Sequence, residues 1–326
     1  MAMIKNLPFF FIVYFIFFFF KAHATDCPQP TLSAEEEELA NELAQFNCQK
    51  LSQTVCDKKH SSTGNVSEVQ YQMTLREMHR PEFKNRITGY LASAISVEPA
   101  LDQVTKEKFN GIAEEIKFVF EMEDGMEMGL SEKELDYLRA LRILSCGLSN
   151  QVPNALALFV GNRKIVMVCP MATKKILANM TGEVNAENLA DQFSFLIGHE
   201  IGHFLYRGNE KKYENLRECL VDHPTHEMLQ SARTLNPFKL LFGELKVGPH
   251  MNEIAADYWG HRVAGQMLKS TSNLKFLVNN YHFMCEIGAH DDGEHPNLSY
   301  RLDFLAGAER NISSGIYCPA KKGCNL

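Results

Sequence analysis

After its first twenty-odd residues the chain has no hydrophobic run of the roughly twenty residues that a membrane-spanning helix needs. It also lacks a basic patch. Thirty-three Lys and Arg stand against 40 Asp and Glu for a formal charge of −7, which argues against nucleic acid as a partner. No internal repeat is visible, so the chain reads as one large domain, or one domain with an appendage. The residues before Cys27 (Ala24, Thr25 and Asp26) do not form a lipoprotein-type acceptor, which sets a lipid anchor aside.

What the chain does carry begins at its amino terminus. Lys5 precedes the apolar stretch Pro8–Phe20, and Ala22-His23-Ala24 supplies small residues ahead of Thr25. That layout predicts a secretory signal over residues 1–24, too short to be an ordinary transmembrane helix. All nine cysteines (27, 48, 56, 146, 169, 219, 285, 318 and 324) follow it, as expected of an oxidising compartment. The protein is therefore expected to be exported, periplasmic in the first instance and extracellular as the alternative, with no stable membrane span once the signal is removed. Sequence proximity suggests the pairs Cys48–Cys56, Cys318–Cys324 and Cys146–Cys169; an odd count leaves one thiol free or paired between chains. Sequons at Asn65, Asn179, Asn297 and Asn311 permit glycosylation without establishing a source.

Local patterns predict several elements. Ser33-x-x-Glu36 is a capping box opening an acidic helix with Leu39, Leu43 and Phe46 along one stripe, and residues 61–65 read as a loop. Helical patterns run from about Glu98 to Phe120 and from Ser131 to Leu144, the second with a capping box at Ser131 and Glu134. Two β-rich runs, Ala155–Val160 and Arg163–Cys169, flank Gly161-Asn162 and predict a hairpin. A further helix is expected from about Glu187 to Leu205, ended by Tyr206-Arg207-Gly208-Asn209, and another from about Met251 to Lys269. Gly198 and Gly202 weaken the first of these helices, which implies that a neighbour packs too close for a Cβ.

The chemistry is concentrated in His199-Glu200-Ile201-Gly202-His203. Histidines four apart on a helix stand on one face and reach one metal ion, while Glu200 sits beside a water that the metal activates. Three protein ligands leave the fourth position of a tetrahedral zinc open. Glu253 is the expected third ligand, and Asp257, one turn later, is placed to accept the free ring N–H of a ligand histidine. Between the two helices Asp222, His223, His226, Glu227 and His250 are further candidates, though Pro224 makes His223 and His226 loop residues.

Four segments in order resemble the zinc gluzincins of metallopeptidase family forty-eight, the family of HtpX-like heat-shock peptidases and CAAX prenyl proteases. They are Val152-Pro153-Asn154-Ala155, the His199–His203 motif, Glu253-Ile254-Ala255-Ala256-Asp257, and His295-Pro296 followed by Arg301-Leu302. The match covers roughly residues 154–305, and the absent internal spans place the chain with a soluble, exported branch. The resemblance implies an α+β fold, a mostly helical zincin-type domain with a small β-hairpin beside the zinc cleft. It implies residues 146–326 as the peptidase core; residues 25–145 form a helical region that belongs to the same domain or acts as a prosegment or lid. It implies one Zn2+ per chain held by His199, His203 and Glu253, with Glu200 as general base and Asp257 behind a ligand. It offers His295 and Arg301 as oxyanion donors, with His295 alternatively an inhibitory fourth ligand. Asn154, Ala155 and Ala157 would form an edge strand that pairs with a protein or peptide substrate. The resulting expectation is an exported zinc endopeptidase acting on proteins, including misfolded envelope proteins. The alternative is a chaperone or adaptor that holds unfolded chains in the same cleft without cutting.

Overall fold

Helix caps and hydrophobic spacing account for most of the architecture. A computed structural model describes residues 66–180, 182–216, 249–287, 301–302, 309–315 and 326, all in one compact unit. The expected signal segment, the helix opened by Ser33, the 61–65 loop and the pairs Cys48–Cys56 and Cys318–Cys324 lie outside the described residues.

Helix α1 (Glu68–Met78) starts at Ser67, whose hydroxyl accepts from Gln70 N in a capping box, and buries Tyr71, Thr74, Leu75 and Met78 along one stripe. Helix α2 (Pro81–Val97) begins on a proline at a position where no N–H is needed. The helical pattern expected from Glu98 to Phe120 is shorter in the structure. Helix α3 spans Gln103–Glu115 because Asp102 caps Thr105 N, and Ile116 leaves the helical region. Lys117–Val119 then form strand β1, parallel to the central strand. Sheet pairing there overrides helix propensity. Helix α4 (Met122–Glu127) leads to α5 (Glu132–Cys146), which carries the expected Ser131/Glu134 capping box.

The hairpin forms as read: β2 (Ala155–Val160) pairs antiparallel with β3 (Arg163–Val168). Gly161 at φ 57° takes the first central turn position, one that two-residue hairpins reserve for glycine. The order β1-β3-β2 leaves β2 at an edge. One sheet face packs Val119, Ile165 and Met167 on Leu135 and Leu138 of α5. The Cys146–Cys169 disulfide ties the end of α5 to the end of β3. The result is a mostly helical α+β fold with a small mixed three-stranded sheet, as expected.

Helix α6 (Pro170–Ala178) follows β3. The single helix expected from Glu187 to Leu205 is two, α7 (Ala186–Gln192) and α8 (Ser194–Tyr206), broken at buried Phe193. Asn280 satisfies the break, accepting from Phe195 N at 2.8 Å and donating to Asp191 O at 3.0 Å. It thereby supplies partners for backbone groups that helix ends leave orphaned. Helix α8 ends at Tyr206, as its terminal residues predict, and a 3-10 turn (Glu210–Tyr213) follows. Helix α9 (Pro249–Thr271), α10 (Leu274–Ile287) and α11 (Arg310–Gly315) complete the described elements. The helices before residue 146 pack directly on those after it: α2 lies along α7 and α9. Arg262 and Tyr258 of α9 both donate to Glu98 at the end of α2.

Helices α8 and α9 share the most extensive contact among the helices. A Cβ at Gly202 would stand 2.7 Å from Ala256 Cα and 3.0 Å from its carbonyl oxygen, and one at Gly198 2.9 Å from Val263 Cβ. The partner number falls as the α8 number rises, so the helices run antiparallel. The close packing expected from the two glycines is present. Gly202→Ala must push backbone from backbone and is expected to destabilise the fold by about 1–3 kcal/mol. A Cβ at Gly111, inside α3, would meet nothing within 4 Å, so Gly111→Ala is expected to stabilise by about 0.5–1 kcal/mol. Urea denaturation of both variants checks the pair of signs.

Candidate metal centre

The α8–α9 crossing places His199 and His203 of one helix against Glu253 of the other. One donor atom from each of these residues lies within 4.8 Å of the others. Glu253 Oε2 is 3.4 Å from His199 Nε2 and 3.6 Å from His203 Nε2. Donors around a common tetrahedral centre with bonds of about 2.0–2.1 Å stand about 3.4 Å apart. The two imidazoles meet edge to face, with centroids 4.9 Å apart and planes at 89°, so neither ring covers the other's nitrogen. Two imidazole nitrogens and one carboxylate oxygen form a donor set suited to zinc, and the spacing fits a metal ion.

Behind the group runs a fully buried chain. His199 Nδ1 donates to Asp257 Oδ1 at 2.8 Å, which leaves Nε2 facing Glu253. Asp257 accepts two further bonds from Arg301, Nε to Oδ2 and Nη2 to Oδ1, both 2.7 Å. Burial would drive the His199 pKa down, but its hydrogen bonds to Asp257 and Glu253 outweigh that and raise it to about 10. Burial likewise acts to raise the Asp257 pKa, and is overcome by the Arg301 charge and the His199 bond, which hold the carboxyl well below the usual range. A metal ion binding at Nε2 therefore displaces a proton, and affinity falls as pH falls. Among the described residues, buried His203 Nδ1 has no hydrogen-bond partner.

The group opens into a cleft of about 470 Å3, lined also by Glu200, Asn154, Ala155, Ala157 and Phe159. Strand β2 presents a usable edge there. Cys169 N donates to Asn154 O at 2.9 Å, one step beyond the pair Ala155↔Val168. The antiparallel alternation then turns the N–H and C=O of Ala155, Ala157 and Phe159 away from β3. No described strand pairs on that side. Asn154 Oδ1 accepts from Ala155 N at 2.9 Å and closes one end of the edge.

The structure thus brings together His199, Glu200, His203, Glu253, Asn154, Ala155 and Ala157, with Asp257 directly behind. Arg301, expected as an oxyanion donor, is placed elsewhere: it is 5 % exposed, clamped on Asp257, and does not line the cleft. His295 lies outside the described residues, as do Asp222, His223, His226 and Glu227. His250 falls in the first turn of α9, with its side chain outside the description. No local pattern marks the roles of Asn280, Glu98 and Phe159, since each acts through a partner remote in the chain.

Neither models of known protein families nor curated proteins give a match to this chain. His199, His203 and Glu253 form a group whose spacing could hold a metal ion, and no family is assigned to the chain.

Removing the carboxylate partner of a metal-ligating histidine typically lowers metal affinity about 10–100-fold. Asp257→Asn is expected to do so in chelator competition. Arg301→Leu, which removes the clamp on Asp257, is expected to weaken metal binding similarly. It should also destabilise the chain by about 3–5 kcal/mol by leaving Asp257 buried beside an incomplete set of partners. Unchanged metal affinity in both variants would contradict the arrangement.

Proposed function

We propose that the chain is an exported zinc-dependent endopeptidase that cleaves extended segments of proteins. The observation that carries this reading is the presence of Glu200 in one cleft with the His199/His203/Glu253 group and the edge of β2 that no described strand pairs. His199, His203 and Glu253 would hold the ion. Bound zinc supplies Lewis acidity that polarises a carbonyl and brings the pKa of water toward 7.

The chain's own groups perform the remaining work. Ala155, Ala157 and Phe159 offer outward backbone groups to an extended substrate, which recognises main chain more than side chain. Glu200, 5 % exposed, takes the proton of the attacking water and returns it to the leaving amine. Asp257 and Arg301 keep His199 in the tautomer whose Nε2 faces the cleft; in this reading Arg301 is a positioning residue. The signal segment and the buried Cys146–Cys169 bond support export. No helix among the described residues is long and apolar enough to cross a membrane. A holdase using the same cleft would need the ligands and the strand edge but no base, and Glu200 favours the enzyme.

The test is casein cleavage by the purified mature chain beside Glu200→Gln, with zinc quantified in both. Zinc in both and cutting only in the wild type is the expected outcome, with the variant reduced by at least about 100-fold, the scale of a general base. Equal zinc and no cutting in either would transfer the weight to the holdase.

A further inference from the structure

We infer that Arg207 selects an acidic side chain in the bound peptide, a specificity that rests on the peptide-strand reading above and goes beyond it. Arg207 closes α8: its N–H donates to His203 O at 3.1 Å, so it stands one turn beyond the second imidazole. Its guanidinium carbon lies 4.5 Å from the centroid of the Phe159 ring. That ring is in turn fixed edge-on to Phe204 at 5.1 Å, and both Phe159 and Arg207 line the cleft. A helix end and a strand end thus hold one cation in place.

Among the described residues the acid whose electrostatics Arg207 influences is Glu210, and it does so through its charge. The Glu210 carboxylate accepts from Gly208 N at 2.8 Å, and that bond, with the Arg207 charge adding to it, lowers its pKa, so the guanidinium fork keeps donors for a further carboxylate. The other charged groups lining the cleft with Arg207 are the acids Glu200, Glu253 and Glu210 and the two histidines. A stacked guanidinium keeps its fork of N–H donors directed outward and loses little freedom on meeting a carboxylate.

Strand geometry supplies the substrate side. Leu156 and Leu158 pack toward the α5 core, so Ala155, Ala157 and Phe159 share the opposite face, toward the cleft. A peptide laid along the β2 edge places every second side chain on that same face. The one beside Phe159 meets Arg207. A Glu or Asp there gains a charge-assisted pair, a neutral residue gains nothing, and a Lys is repelled.

The test measures binding, independent of turnover. The probe is a set of fluorescein-labelled unstructured peptides, neutral except for a single Glu moved along the sequence, titrated into the zinc-loaded Glu200→Gln chain and followed by anisotropy. One position is expected at which Glu binds roughly two- to five-fold tighter than Gln, the range of a partly exposed ion pair, with the gain shrinking in high salt. Arg207→Gln should erase the preference, Arg207→Glu should turn it toward Lys, and Phe159→Leu should blunt it with the charge still present. A merely structural Arg207 would not yield that reversal. Peptides that bind equally at every Glu position, or a preference that survives Arg207→Gln, overturn the inference alone. If no peptide binds the zinc-loaded chain, the peptide reading fails and takes this inference with it.

Discussion

Where Gly202 of α8 meets Ala256 of α9 there is no room for a side chain, and the backbones touch. That contact sets the distance between the helices and hence between their donor atoms. A Cβ at Gly202, 2.7 Å from Ala256 Cα, would force the two backbones apart. The glycine costs α8 about 1 kcal/mol of intrinsic stability, and the burial of most of the helix, including Phe195, Leu196, Ile197, Ile201, Phe204 and Leu205, offsets it. Glu98, binding Tyr258 and Arg262, fixes α9 from its other side.

The same crossing concentrates negative charge. Glu200, Glu253 and Asp257 all lie close to His199 and are buried or nearly so, with Arg301 balancing Asp257. Burying carboxylates without compensation is costly. In the metal-free chain the proton on His199 supplies part of the compensation, and a divalent cation at Nε2 would supply more. The ligand group is therefore an electrostatic sink for a cation as well as a geometric one. Arg301 makes this workable by holding Asp257 ionised without entering the cleft.

Periodicity made much of this legible. His199 and His203, and Glu253 and Asp257, are four apart on helices, so their common facing followed from spacing alone. The paired glycines implied a close neighbour, and the structure names it as α9. Gly161-Asn162 marked the hairpin, and the cysteine positions allowed Cys146–Cys169. What escaped the sequence depended on partners far along the chain. Nothing near Phe193 signals a helix break, because the residue that satisfies it is Asn280. Lys117–Val119 reads as a helix end until β3 is there to pair with it. Arg301 looked like a cleft donor because its motif carries no information on which way the guanidinium turns; its position on Asp257 depends on the fold of α9. The stacking of Arg207 on Phe159 joins a helix cap to a strand end that no local pattern connects.

The most direct measurement of the central claim is X-ray absorption at the zinc edge on the purified mature chain. Two imidazole nitrogens and a carboxylate oxygen at about 2.0–2.2 Å are the predicted shell, with one imidazole lost in His203→Ala and the carboxylate lost in Glu253→Ala. A shell containing sulfur at about 2.3 Å, or one that His203→Ala and Glu253→Ala leave unchanged, would contradict it.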